Sequence, residues 1–152
     1  MRPVWAEIDL KAIDHNLNEV KRVISPSTDM MAIVKANGYG HGAVQVAERA
    51  VKAGAVYLGV ALLQEAIELR KHGITTPILI LGYTSEEDYK LLVKYQITQG
   101  IYQLIQAEIL NEIAKSQGVK AKVHVKIDTG MGRLGFSVQE SVEAIEKIAK
   151  LS

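Results

Sequence analysis

The sequence predicts an α/β fold of repeated βα units, and three observations carry that prediction. Five short apolar runs recur, at 30–35, 56–60, 77–81, 97–101 and 122–128. Segments of helical periodicity lie between them. The runs start roughly 20 to 27 residues apart, the rhythm of parallel strands joined by helical crossovers. Such a series builds either an open parallel sheet or part of a (β/α)8 barrel. A full barrel takes about 250 residues, so 152 residues hold about five of the eight units.

The elements follow in order. Trp5, Glu7 and Asp9 alternate with Ala6, Ile8 and Leu10, which predicts an opening strand over 1–10 and then a helix over 11–24. After the first apolar run, Ala43, Val46, Ala47, Ala50 and Val51 make a helical stripe that Gly54 stops. Leu62, Ala66 and Leu69 repeat the scheme up to Gly73. Ser85 followed by Asp88 predicts a capped helix start with Leu92 and Val93 facing inward. Leu104, Ala107 or Glu108, Leu110 and Ile113 lead to Gly118. Ser137 and Glu140 predict a capping box ahead of Val142, Ile145 and Ala149. No linker or low-complexity stretch interrupts the series, so 11–152 reads as one barrel-type unit.

Composition removes several classes of function. The formal charge of +1, with lysines scattered among acids, gives no electrostatic footprint for nucleic acid. There is no cysteine, which excludes disulfides and thiolate chemistry. The four histidines lack metal-ligand spacing, so no metal site is expected. No apolar stretch approaches the roughly 20 residues that span a bilayer, and the amino terminus lacks a signal-peptide core. The expectation is a cytoplasmic protein with a small-molecule substrate.

The stretch Ala32-Ile33-Val34-Lys35-Ala36-Asn37-Gly38-Tyr39-Gly40-His41-Gly42 points to chemistry. An apolar run ends on a lysine, and alternating glycines follow at once. Burial disfavours the charged form of lysine, which is how an amine becomes nucleophilic near neutral pH. Glycines let backbone N–H groups crowd together, an arrangement that suits a phosphate. An activated amine beside an anion cradle suggests a Schiff base with a phosphorylated carbonyl cofactor. The plainer alternative is a lysine that reaches into water and glycines that make only a turn.

A second constellation closes the series. In Val123-His124-Val125-Lys126-Ile127-Asp128 the apolar residues share one face of a strand, and His124, Lys126 and Asp128 share the other. If the apolar face packs against helices, the polar face points into the barrel. Lys35, Lys126 and Arg133 would then crowd three cations at one mouth, and something must neutralise one of them. A simple pairing of Lys126 with Asp128 or a helix acid is the alternative. Gly130-Met131-Gly132-Arg133-Leu134-Gly135 also satisfies G-x-G-x-x-G. Three details speak against a dinucleotide site: Asp128 lies where pyrophosphate would sit, the helix starts only at Ser137, and the ribose-binding acid would fall past the chain end.

The lysine stretch closely resembles the cofactor-lysine motif of the alanine racemases. The resemblance extends through Val4-Trp5-Ala6-Glu7-Ile8-Asp9-Leu10 and through Val125-Lys126-Ile127-Asp128-Thr129-Gly130-Met131-Gly132-Arg133-Leu134-Gly135-Phe136. It implies a (β/α)8 barrel of TIM type, with about five of its eight units present. The opening strand would belong to a carboxy-terminal β-domain that lies outside these residues. It also implies pyridoxal 5′-phosphate as cofactor, L- and D-alanine as substrates and products, supply of D-alanine to peptidoglycan, and a homodimer.

Residue by residue, the resemblance makes Lys35 the cofactor lysine and the acid or base on the D-alanine side of Cα. Tyr39 would hydrogen-bond the cofactor phosphate. Lys126 would be carbamylated and hold Arg133, which would contact the pyridine nitrogen and sit near the substrate carboxylate. A guanidinium does not give up its proton, so the ring nitrogen would stay unprotonated and the cofactor would be a weaker electron sink. The family's opposite-face base is a tyrosine from the other subunit's carboxy-terminal domain. Tyr57, Tyr83, Tyr89, Tyr95 and Tyr102 all fall in barrel units and offer no candidate. By this reading the 152 residues alone are an inactive amino-terminal portion. The alternatives are another barrel-type pyridoxal-phosphate racemase or decarboxylase, and a non-catalytic βα fragment that binds anions.

Overall fold

The computed structural model describes residues 3–151. Helix α1, Leu10–Val23, begins where the Asp9 carboxylate accepts from the Lys11 and Ala12 amides, satisfying donors that no preceding turn can reach. It ends one residue before the predicted bound. Strands β1 (Met30–Ile33), β2 (Ala55–Val60), β3 (Ile78–Ile80), β4 (Thr98–Ile101) and β5 (Val123–Val125) form one sheet in the order β1-β2-β3-β4-β5. Every pairing is parallel. Helices α2 (Ala43–Lys52), α3 (Leu63–Lys71), α4 (Tyr89–Lys94), α5 (Leu104–Ser116) and α6 (Val138–Ala149) follow the strands one for one. This is the predicted partial (β/α)8 barrel, five βα units in sequence order.

The core lies between the sheet and the helices. Val34, Leu58, Val60, Ile78, Ile80 and Ile101 supply its sheet side, and all are fully buried. Ala47, Ala50, Ala66, Leu69 and Leu110 supply its helix side, where alanines let the helix backbones come close. Each fully buried valine, leucine or isoleucine among these contributes about 1.5–3 kcal/mol over its exposed state. At the far end of the strands from their carboxyl termini, Arg70 gathers the loops that lead into β3 and β4. Its guanidinium donates to the carbonyls of Ile74 (2.7 Å), Thr76 (2.8 Å), Tyr95 (3.1 Å) and Gln96 (3.3 Å). Burial lowers its pKa from the ordinary arginine value.

Caps explain where prediction and structure part. The Ser137–Glu140 capping box forms as predicted, with Ser137 Oγ accepting from the Glu140 amide at 3.2 Å. The expected Ser85 cap does not form. The chain enters α4 through a 3-10 turn, Glu86–Asp88, and the Asp88 amide already donates to the Ser85 carbonyl at 3.0 Å. Tyr89, at the start of α4, is buried, and burial together with the nearby Glu86 pushes its phenol up to about 12. At α5, Gln106 Oε1 accepts from the Tyr102 and Gln103 amides, a cap the sequence reading missed.

The expected opening strand is not formed. Pro3 to Asp9 pairs with nothing, and Trp5 is 80% exposed. A strand exists by virtue of its partner, and among the described residues nothing pairs with this segment. Met1 and Arg2 of that segment, and Ser152, fall outside the described residues. Among the described residues no helix is long and apolar enough to cross a membrane, and no cluster of side chains could hold a metal ion.

Candidate active site at the carboxyl ends of the strands

Lys35 stands just past the carboxyl end of β1, the end at which barrels of this type carry their chemistry. Val34, immediately before it, is fully buried among the helices and donates its amide to the Gly59 carbonyl at 2.8 Å, extending the ladder of β2 by one residue. Lys35 itself is half-buried. Beyond it the chain does something unusual for L-residues. Ala36, Asn37 and Tyr39 adopt φ of 51°, 56° and 56°, and Gly38 and Gly40 continue the same left-handed turn. A non-glycine residue in this region costs roughly 1–2 kcal/mol, so the turn persists only because its surroundings fix it.

Two side chains fix it. Asn37 tolerates the left-handed region, and its Oδ1 accepts from the Ala43 amide at 2.9 Å, where α2 begins. Glu65 binds from the other side. Its Oε1 accepts from the Ala36 amide at 2.6 Å, and its Oε2 accepts from the Ala61 and Leu62 amides at 2.7 and 3.1 Å. One carboxylate thus joins the residue after Lys35 to the start of α3. The amides of Gly38, Gly40 and Gly42 are engaged within the turn, donating to the carbonyls of Val34, Ala36 and Asn37. The glycines therefore shape the turn, and their amides do not form the anion cradle expected from the sequence. The turn brings Tyr39 under Lys35, with Nζ 5.9 Å from the ring centroid. Among the described residues Lys35 makes no ion pair.

The inward face of the sheet is read from its contacts. Tyr57 Oη and Thr98 Oγ1 lie 2.7 Å apart, and the Tyr57 and His124 rings meet at 5.6 Å between centroids. His124 thus lies on the face that the alternation predicts, across the sheet from Tyr57 on β2. Lys126, two residues on, extends along the same face. Its stem crosses Gly100 of β4, where an added Cβ would lie 3.3 Å from Lys126 Cδ. Its Nζ donates to the Leu81 carbonyl at the end of β3, at 3.0 Å. Lys126 pairs with neither Asp128 nor a helix acid, so that alternative fails. The Tyr57–Thr98–His124 group was missed, although the period-two spacing that placed His124 could have placed Tyr57 as well.

Asp128 serves the loop that follows. Its Oδ1 accepts from the Gly130 and Gly132 amides at 2.9 and 3.0 Å, and these bonds hold its carboxyl below the usual aspartate range. Those are the amides a pyrophosphate would need, and the helix begins only at Val138, so the dinucleotide reading is excluded on geometry. Arg133 leaves the loop exposed and makes no ion pair among the described residues. The structure therefore joins Lys35 with Tyr39 and sets Lys126 against a neutral carbonyl. Among the described residues no hydrogen bond joins Lys126 to Arg133.

These features match known proteins along the whole chain. A family model described as alanine racemase, N-terminal domain, matches residues 8–152. The alanine racemase of Desulfovibrio desulfuricans is 50% identical over 150 residues, covering 99% of this chain and 40% of that protein. A solved alanine racemase from Clostridium difficile 630 superposes with a TM-score of 0.95 at 47% identity, over 100% of this chain and 41% of its own. A histidine racemase from Leuconostoc mesenteroides shares the fold at a TM-score of 0.86 and 31% identity, over 95% of this chain and 39% of its own. The chain thus spans about 40% of the length of the curated relatives it matches. By its sequence over nearly its full length and by its fold, this chain belongs to the alanine racemase N-terminal domain family.

Proposed function

We propose that these residues form the cofactor-carrying portion of an alanine racemase, which interconverts L- and D-alanine with pyridoxal 5′-phosphate and supplies D-alanine for peptidoglycan. The observation that carries the reading is Lys35: a half-buried lysine at the carboxyl end of β1, without a carboxylate partner among the described residues, on a turn that its neighbours hold in a strained left-handed form. The donor set fits the cofactor. Lys35 offers an amine for its aldehyde, the exposed Tyr39 a hydroxyl for its phosphate, and the exposed Arg133 a guanidinium for its ring nitrogen. Pyridoxal phosphate, when bound, supplies the electron sink that stabilises a carbanion at the amino-acid Cα.

The chain's own residues do the rest. Lys35 removes or returns the Cα proton on the D-alanine side. Arg133 binds the ring nitrogen without donating its proton outright, and draws in the substrate carboxylate. Lys126 donates to a neutral carbonyl, and among the described residues no carboxylate pairs with its amine. Carbon dioxide adding to its neutral amine, with release of one proton, would turn Lys126 from a cation into a carbamate anion that offsets the charge of Arg133. The base for the opposite face of Cα would come from the carboxy-terminal domain of a second subunit in a homodimer.

A second reading, another amino-acid racemase, is favoured by the likeness to the histidine racemase, because the same half-barrel serves a different side chain there. The test is a racemisation assay of the complete gene product, loaded with pyridoxal phosphate, on alanine and on histidine. Alanine turnover that Lys35→Ala lowers by about 10²–10⁴-fold or more is expected. Turnover of histidine but not alanine would favour the second reading, and turnover unaffected by Lys35→Ala would overturn both.

A further inference from the structure

The loop 129–135 carries Arg133 on an exposed excursion, yet its backbone is tied at three points. The Phe136 amide donates to the Lys126 carbonyl and the Asp128 amide to the Phe136 carbonyl, both at 2.8 Å, so the two ends of the loop are bonded to each other. These two bonds are what make Ile127 and Phe136 a parallel bridge. Gly135 packs so tightly on the backbone of Ile127 and Asp128 that an added Cβ would collide with the Asp128 amide nitrogen. Inside this closed base, Asp128 Oδ1 collects the Gly130 and Gly132 amides. Gly132 adopts φ of 68°, a conformation open to glycine that lets these amides turn inward.

Resting on the reading of Arg133 as a cofactor contact, we propose that Asp128 is a positioning residue for Arg133, its carboxylate pinning the loop from within. Asp128 has no competing duty among the described residues: Lys126 donates to Leu81, and no ion pair involves Asp128. An exposed loop with nothing inside it would sample many backbone forms, and Arg133 would meet the cofactor only in some of them. A site populated in its competent form for about a tenth of the time binds about tenfold more weakly. The pin works by accepting hydrogen bonds, so an asparagine, which keeps the accepting oxygen, replaces it, and an alanine does not.

The experiment uses the complete gene product with and without pyridoxal phosphate. Amide hydrogen exchange reads the loop, and absorbance titration of the cofactor-free protein reads the cofactor dissociation constant. In the parent the Gly130 and Gly132 amides exchange slowly. Asp128→Ala releases them and raises the dissociation constant about tenfold, whereas Asp128→Asn stays within about threefold of the parent. In an Arg133→Met background Asp128→Ala adds little further loss, because the residue it positions is gone. Unprotected Gly130 and Gly132 amides in the parent would overturn the proposal, even if no variant folds. So would Asp128→Asn failing as badly as Asp128→Ala, or a loss undiminished in the Arg133→Met background. If Arg133→Met alone leaves cofactor binding intact while the exchange results hold, the pin stands and the cofactor role of Arg133 is what fails.

Discussion

Asn37 holds the most demanding position beside the candidate cofactor lysine. It must adopt a left-handed backbone, and it must also end the turn at the start of α2 through its Oδ1 bond to Ala43. Alanine could do neither well. It would lose a cap worth about 0.5–2 kcal/mol and add about 1 kcal/mol of backbone strain. Asn37→Ala should therefore destabilise the protein by about 2 kcal/mol in urea unfolding, and Asn37→Gly by clearly less. Equal losses in the two variants would mean that the left-handed backbone is not under strain. The position of Lys35 just past the carboxyl end of β1 was legible in the sequence, because the apolar run that ends on it marks the strand. The role of Asn37 was hidden, since nothing in the residues 36–39 announces a left-handed turn containing three non-glycine residues. The face of Lys126 was legible from alternation, but not its carbonyl partner, Leu81 just past β3, which is 45 residues away in sequence.

At the scale of elements, Glu65 links two βα units. It caps α3 through the Ala61 and Leu62 amides and also receives the Ala36 amide from the turn after β1. Removing it leaves three backbone donors without their acceptor, one of them next to Lys35. Glu65→Ala should cost about 1–3 kcal/mol, read as a fall in the thermal midpoint. It should also loosen the 36–40 segment in hydrogen exchange before the rest of the sheet opens. A fall in the midpoint with no local loosening would confine Glu65 to capping α3. Strands and helix stops were legible because apolar runs and glycines mark them: Gly54, Gly73 and Gly118 each follow a helix with positive φ. Helix starts were legible only when the cap was a short side chain such as Ser137. Glu65 and Gln106, which reach back from the first turn, look in sequence like ordinary surface residues.

For the whole molecule, five parallel strands in sequence order leave β1 and β5 each paired on one side only. The inward face that Tyr57, His124 and Lys126 share has helices on its opposite side alone, and Ile33 near its rim is 36% exposed. Unpaired edges and uncovered apolar surface favour association. Residues 1–152 produced by themselves should sediment as dimers or larger species at micromolar concentration, under reducing and non-reducing conditions alike because there is no cysteine. A clean monomer that binds no hydrophobic dye would show the inward face to be covered in some other way. The fold class was legible at this scale from the spacing of the apolar runs. The opening strand was not, because alternation predicts a strand's faces but cannot supply its partner.

The assignment of Lys35 as the cofactor lysine is tested most directly by borohydride reduction of the complete gene product loaded with pyridoxal phosphate, followed by peptide mapping. A phosphopyridoxyl group on the peptide containing Lys35, and none in Lys35→Ala, is the expected result. Stoichiometric labelling of Lys126 or of a lysine outside the strand ends, with Lys35 unmodified, would contradict it.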